Sequence, residues 1–191
     1  TLASWDTAGG RTVSFGVAGN NTYNIGLITG PSTMSLSIGG NTLSVGGSNG
    51  TGTYSGTISG TGGITKVGTG TWTLSGNSSY SGATTISAGT ISISNFNALG
   101  STSGVNIGDG STLAYTGGAS TLGRNITITS GTGTLLNSGG AALTLSGTLT
   151  KNGTTLKFGQ GTFNVTGSIV GSAANSDLVV DSANVTLSSA N

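Results

Sequence analysis

Few side chains in this 191-residue chain could do chemistry, and those few are scattered. The chain has no His, Cys or Glu. A Ser–His–Asp triad, a Cys–His pair and thiolate or imidazole metal sites are therefore excluded. The acids are Asp6, Asp109, Asp177 and Asp181. Cleaving an acidic polysaccharide on a β-rich scaffold needs clustered carboxylates, or a carboxylate-held metal beside a basic partner. Asp177 and Asp181 bracket an apolar LVV and could share a face as an i,i+4 pair, but carboxylates at strand ends more commonly shape turns. Gly108-Asp109-Gly110 is one beat of a stacked calcium-binding pattern, and a single beat supplies too few carboxylates, so it reads as a turn. The glycines of 60–63 and 68–70 are followed neither by a helix nor by GK[ST], so they form no phosphate loop. No catalytic, cofactor-binding or metal-ligating residue is assigned. Neither a cofactor nor an enzymatic activity is expected.

The remaining candidates recur in a repeat. Residues 55–76, SGTISGTGGITKVGTGTWTLSG, align without a gap to residues 146–167, SGTLTKNGTTLKFGQGTFNVTG. The alignment pairs Lys66 with Lys157, Gly68 with Gly159, Gly70 with Gly161, Thr71 with Thr162 and Gly76 with Gly167. Apolar positions correspond too: Ile58 with Leu149, Trp72 with Phe163, Leu74 with Val165. The two lysines read as solvated corner residues that cap carbonyls or screen a sheet face against aggregation. Trp5, Tyr23, Tyr54, Tyr80 and Tyr115 would make a sugar-stacking platform if exposed together. Trp72 and Phe163 read as interior fillers. The N-x-[ST] triplets at Asn77, Asn125, Asn152, Asn164 and Asn184 follow from the abundance of Ser and Thr.

The elements that would carry these residues are short strands. Gly, Ser and Thr supply 101 residues, and charged residues only 5%, against roughly 25% in ordinary domains. Such a composition suits a flexible linker, yet Val, Ile, Leu and Thr alternate throughout, which argues for ordered β structure. Helix is nearly excluded by glycines that recur every eleven residues or fewer up to Gly171. Alternating runs include 22–25 (TYNI), 42–45 (TLSV), 71–74 (TWTL), 90–93 (TISI), 112–115 (TLAY) and 162–165 (TFNV), separated by GG, SG, NG and DG turns. Trp72 to Ile91 is 19 residues, Ile91 to Leu113 is 22, Leu143 to Phe163 is 20 and Phe163 to Val185 is 22. A period near 20 predicts an all-β, single-stranded, right-handed parallel β-helix, a β-solenoid of about nine coils. An antiparallel sandwich would use the same turns but not the repeat. The expected inward set is Ile58, Ile64, Trp72, Leu74, Ile86, Ile91, Ile93, Leu113, Leu143, Leu145, Phe163, Val165, Val185 and Leu187. The only proline, Pro31, is expected at a corner. No internal boundary is visible, so residues 1–191 read as one solenoid, with residues 55–93 its best repeat and 146–167 a degenerate second copy.

Residues 55–93, SGTISGTGGITKVGTGTWTLSGNSSYSGATTISAGTISI, resemble the autotransporter-associated β-strand repeat, or passenger-associated transport repeat. Gly62, Gly63, Lys66, Gly68, Gly70, Leu74, Gly76, Asn77, Tyr80, Gly82, Thr84, Ile86, Gly89 and Thr90 match that pattern, while Trp72 and Ile91 stand where leucine is usual. The resemblance implies a β-helical passenger of a bacterial surface or secreted protein. It implies no catalytic residue, because the repeat belongs to the shaft.

Net charge is +1 with no basic cluster, so nucleic acid is not an expected partner. No apolar run is long enough for a membrane-spanning helix. The start at Thr1, without Met or leader, fits a mature or excised piece. The expected function is a non-enzymatic extracellular stalk or filament subunit at the bacterial cell surface or beyond it. Neither residues 1–10 nor 182–191 read as a cap, so end-to-end stacking into a homo-oligomer is expected. The alternative is an adhesin-type passenger fragment that binds glycan or a host surface.

Overall fold

The structure, a computed structural model, describes residues 3–4, 11–15, 19–171, 174 and 176–188. The chain winds in three-sided turns. The first holds β1 (Ala3–Ser4), β2 (Arg11–Ser14) and β3 (Thr22–Ile25); the second holds β4 (Ile28–Thr29), β5 (Met34–Gly39) and β6 (Thr42–Val45). The third comprises β7 (Gly52–Tyr54), β8 (Thr57–Gly60) and β9 (Ile64–Lys66). In the fourth, β10 (Thr71–Leu74) reaches β11 (Thr84–Ile86) through an irregular second side. In the fifth, β12 (Thr90–Ile93) reaches β13 (Val105–Ile107) through a 3-10 turn at Phe96–Leu99. Regular sides resume with β14 (Thr112–Tyr115), β15 (Ser120–Leu122) and β16 (Ile126–Ile128), then β17 (Thr132–Asn137), β18 (Leu143–Leu145) and β19 (Leu149–Thr150). The eighth turn is β20 (Thr155–Phe158), β21 (Gly161–Val165) and β22 (Ile169–Val170), and β23 (Leu178–Val180) and β24 (Ala183–Leu187) start a ninth.

Each strand pairs in parallel with the strand one turn away, so every side is a ladder. The first side runs β7-β10-β12-β14-β17-β20-β23, preceded by β1-β4, which a bridge from Gly30 to Tyr54 joins to it. The third side runs unbroken from β3 to β22. The second side is split into β2-β5-β8 and β15-β18-β21-β24, because turns four and five carry no strand there. The expected β-solenoid is thus present, with eight three-sided turns described and part of a ninth. At about 4.8 Å per turn the stack is about 40 Å tall. The four intervals read from the sequence are true registers: Trp72 lies opposite Ile91, Ile91 opposite Leu113, Leu143 opposite Phe163 and Phe163 opposite Val185. Turns are nonetheless longer than 20 residues at several places, as at Ala3 opposite Ile28. The strand segments stay short while the corners absorb the extra residues.

Alternation turns one residue of each strand inward, and the parallel register stacks like on like. On the first side the inward file is Trp72, Ile91, Leu113, Leu135 and Phe158; on the third it includes Leu43, Ile64, Val105, Ile126 and Leu149, all buried. Burial of each such side chain contributes about 1.5–3 kcal/mol. The Trp72 indole Nε1 donates to the Ile28 carbonyl at 2.8 Å, which ties turn four to turn two. Of the expected inward set, Val185 is only partly covered and Leu187 is 55% exposed, because both lie on the last described strand of their ladder.

One column of glycines sets the corner between the third and first sides. Gly68, Gly89, Gly110, Gly131 and Gly153 have φ of 70°, 69°, 64°, 47° and 65°. The chain must turn left-handed there, a conformation that costs other L-residues about 1–2 kcal/mol. At Gly89 the space is closed as well, since an added Cβ would lie 2.5 Å from both the Gly68 and Gly70 carbonyl oxygens. Pro31 sits between β4 and β5, at a corner as expected.

Candidate functional site

Most of the placed charged groups bond to the scaffold itself. Lys66 ends β9, where Ile64-Thr65-Lys66 alternates in, out, in. Its side chain therefore joins an apolar file, opposite Val45 on one turn and Ile86 on the next, and is fully buried. The ammonium curls to the corner and donates to the carbonyls of Val67 and Gly68, both at 2.7 Å, and of Ala88 at 3.3 Å. Burial pushes its pKa down, because the charged form is poorly solvated there. Lys66 does cap carbonyls, but it is not the solvated residue expected.

Lys157 is a different kind of residue. It projects from β20, on the first side, opposite Thr134 and Val179, and pairs at the surface with Asp181 at 2.7 Å. This bond holds the Asp181 carboxyl below its usual range. The gapless alignment of 55–76 with 146–167 is thus rotated by one side: β8, β9 and β10 fall against β19, β20 and β21. Following the ladder from Lys66 through Ile86, Ile107 and Ile128 leads instead to Lys151, one residue beyond the paired Thr127–Thr150. Lys151 likewise reaches a carbonyl, that of Ser176, at 2.7 Å. The signal for this pairing was present as ITKVG at 64–68 and LTKNG at 149–153.

Arg124 carries no sequence signal, since nothing in its neighbourhood marks it. Its guanidinium donates to the carbonyls of Phe96, at 3.3 Å, and Gly100. It therefore caps the 3-10 turn that replaces a strand in turn five, where the loose carbonyls favour a cation. Asp109 is exposed at a corner, and its carboxylate accepts the Thr132 N–H at 2.8 Å. That is the turn role expected of it. Asp177 and Asp181 are exposed at the two ends of β23, while Asp6 lies outside the described residues. No group of three or more acidic, His or Cys side chains gathers among the described residues.

The irregular second side of turn four holds the main internal polar cluster. Tyr80 is fully buried, and its hydroxyl shares a 2.8 Å hydrogen bond with the Thr84 hydroxyl. Thr84 donates to the Thr102 hydroxyl at 3.2 Å, and Thr102 can donate to the carbonyls of Gly82 (2.8 Å) or Gly104 (3.0 Å). Burial pushes the Tyr80 pKa up to about 12, offset in part by Thr84 and by the charge of Arg124. Tyr54 is likewise raised to about 12 by burial, and its hydroxyl lies 3.3 Å from the Met34 carbonyl and 3.2 Å from that of Thr57. Tyr115 is buried, donates to Gly118 O at 2.8 Å and stacks on Phe96 at 4.8 Å. Tyr54, Tyr80 and Tyr115 therefore offer no ring to a sugar, and the condition for an aromatic platform, joint exposure, is not met by them. Tyr23 is partly covered against the core, and Trp5 lies outside the described residues. Trp72 and Phe163 are interior, as expected.

Concavities among the described residues include two of note. One, of about 150 Å³, opens at the first turns and is lined by Val13, Phe15, Ile25, Ile28, Met34 and Leu36. It is apolar and contains no reactive group. The other, about 290 Å³, is a shallow groove bordered by Asn24, Ser44, Ser48 and Val67 at a corner. No helix among the described residues is long and apolar enough to cross a membrane.

Compared with known proteins, residues 64–93 match the Passenger-associated-transport-repeat family. No curated protein and no solved structure matches the chain. The matched stretch runs from β9 to β12 and contains two of the internal polar anchors, Lys66 and the Tyr80–Thr84 pair. The similarity to a passenger-associated transport repeat thus falls on turns that belong to the β-solenoid.

Proposed function

We propose that the chain is a non-enzymatic, extracellular structural protein, a β-helical stalk or filament subunit whose turns stack end to end on a second copy. The observation that carries this reading is the use of its polar groups. Lys66, Lys151 and Arg124 cap carbonyls, Asp109 caps a neighbouring turn, and Lys157 pairs with Asp181. None of them converges on a cleft where a substrate could react. The passenger repeat supports a surface or secreted location.

Stacking is supported by the two outermost described turns. Val170, Val179, Val180 and Leu187 are exposed at one, and the apolar cavity bounded by Val13 and Phe15 opens at the other. With a formal charge of only +1, little repulsion opposes their approach. A non-closing, head-to-tail contact of this kind yields fibres. Sedimentation velocity over a wide concentration range tests the proposal. Growth of the sedimenting species with concentration, blocked by Val180→Lys with Leu187→Lys, is expected. A species that stays monomeric at every concentration contradicts it.

A further inference from the structure

Three peptide bonds in this chain join an asparagine or an aspartate to a glycine: Asn49–Gly50, Asp109–Gly110 and Asn152–Gly153. All three lie in corners between the third and first sides, and Asn49, Asp109 and Asn152 are exposed there. In such a pair the glycine nitrogen can close on the side-chain carbonyl carbon, because glycine has no Cβ to keep the chain away. The pairs are alike in sequence, and the structure separates them by what each glycine N–H does. Gly110 N–H donates to the Thr132 carbonyl at 2.9 Å. Gly153 N–H donates to the Ser176 hydroxyl at 2.8 Å. Gly50 N–H has no partner among the described residues. The nitrogen attacks only after giving up its proton, so a bonded N–H is held back and an unbonded one is not.

The Asn49 side chain is also arranged as the carbon to be attacked. Its Oδ1 accepts the Thr69 N–H at 3.0 Å, a donor aimed at the oxygen on which negative charge grows. The corner holding it has six residues between β6 and β7, against three or four in the next five corners of that column. Gly47, Ser48 and Asn49 are exposed in it, so the main chain has slack to bring the Gly50 nitrogen to Asn49 Cγ.

We infer that Asn49 is a site of spontaneous deamidation selected by the fold, and that the same fold protects Asn152. The step needs water alone. The Gly50 nitrogen gives its proton to hydroxide and bonds to Asn49 Cγ, the Cγ–Nδ2 bond breaks, and Nδ2 takes a proton from water and leaves as ammonia. Water then adds across one of the two C–N bonds of the five-membered imide and opens it, to aspartate or to isoaspartate. The products differ in their effect on the shaft. Aspartate can keep the Thr69 N–H, as the Asp109 carboxylate keeps that of Thr132 at 2.8 Å. Isoaspartate routes the main chain through the side-chain methylene and displaces a peptide on which Gly70 is packed. A Cβ on Gly70 would already lie 2.1 Å from the Gly50 carbonyl oxygen and 2.7 Å from that of Asn49. Turn three has no room to follow, so isoaspartate loosens its register on turn two.

Incubation of the intact protein at mildly alkaline pH, followed by peptide mapping with mass spectrometry, tests this. The acid form is expected to accumulate at Asn49 about 5-fold faster than at Asn152, the factor that one hydrogen bond on the glycine N–H supplies. Ser176→Ala is expected to raise the rate at Asn152 and to leave that at Asn49 unchanged. In urea the two rates are expected to converge. Equal rates in the folded wild type overturn the inference. So does a difference that persists undiminished in urea, which would assign it to the neighbouring residues instead of the fold, or an Asn152 rate that Ser176→Ala does not change.

Discussion

Replacing Lys66 with Met tests whether the buried ammonium is a fastener or a burden. Methionine has nearly the same length, suits the apolar file of Val45 and Ile86, and leaves the carbonyls of Val67, Gly68 and Ala88 without the donor that now serves them. Hydrogen bonds to a charged group are worth about 1.5–3 kcal/mol each, so three contribute about 5–9 kcal/mol gross. Opposing this is the release of a desolvated cation, worth several kcal/mol. Lys66→Met should therefore lose about 2–3 kcal/mol net, which lowers the melting temperature by about 5–10 °C in a chain of this size. Solenoids can open by parts, so a local probe belongs beside the melt. The amides of Ser87 and Ala88, which donate to the Lys66 carbonyl, should exchange faster in the variant. The depressed pKa adds a pH signature. The unfolded chain keeps this proton up to about pH 10.4, whereas the folded chain releases it earlier. In that window the unfolded state binds more protons, so this residue's contribution to stability rises with pH in the wild type and is absent in Lys66→Met. A variant as stable as the wild type at pH 7, with unchanged exchange at Ser87 and Ala88, would show that the ammonium is no fastener.

Other perturbations have different signatures. Gly89→Ala forces a left-handed alanine against two carbonyl oxygens 2.5 Å from its Cβ and should cost about 2–4 kcal/mol in chemical denaturation; Gly110→Ala, with φ of 64° and nothing near its added Cβ, should cost only about 1–2 kcal/mol. Tyr54 and Tyr80 deprotonate near pH 10 when unfolded but near 12 when folded. Their stabilisation is whole below pH 10 and is lost as pH rises through 12. Each contributes about 2–3 kcal/mol to that alkaline loss, which Tyr80→Phe should reduce in a pH titration of the denaturation midpoint. Asp181→Asn removes an exposed ion pair and should leave the melting temperature unchanged at moderate salt.

Strand limits were legible because alternation between apolar residues and Thr or Ser leaves little freedom. Thr71–Leu74, Thr90–Ile93 and Thr112–Tyr115 fall where the sequence places them. Register was legible too, since bulky residues such as Trp72 and Ile91 must meet across turns. Which side a strand belongs to was not legible. All three sides read as a short strand and a glycine turn, so aligned segments can slip by one side without penalty, as Lys66 and Lys157 did. The burial of Lys66 was written in the alternation of Ile64-Thr65-Lys66, and that of Tyr115 in its place two residues after Leu113. Charge and hydroxyl argued the other way, and the strand geometry prevailed. Tyr80 gave no such hint, because NSSY at 77–80 does not alternate; its pocket exists only because turns four and five lack a strand on the second side. Arg124 answers the same irregularity from the turn above.

The proposed function is a shaft whose turns continue from one molecule to the next. Electron cryo-microscopy of the concentrated protein tests it most directly. Unbranched filaments are expected, with an uninterrupted axial spacing of about 4.8 Å that runs through the subunit junctions. Discrete particles about 40 Å tall, with no filaments at any concentration, would contradict it.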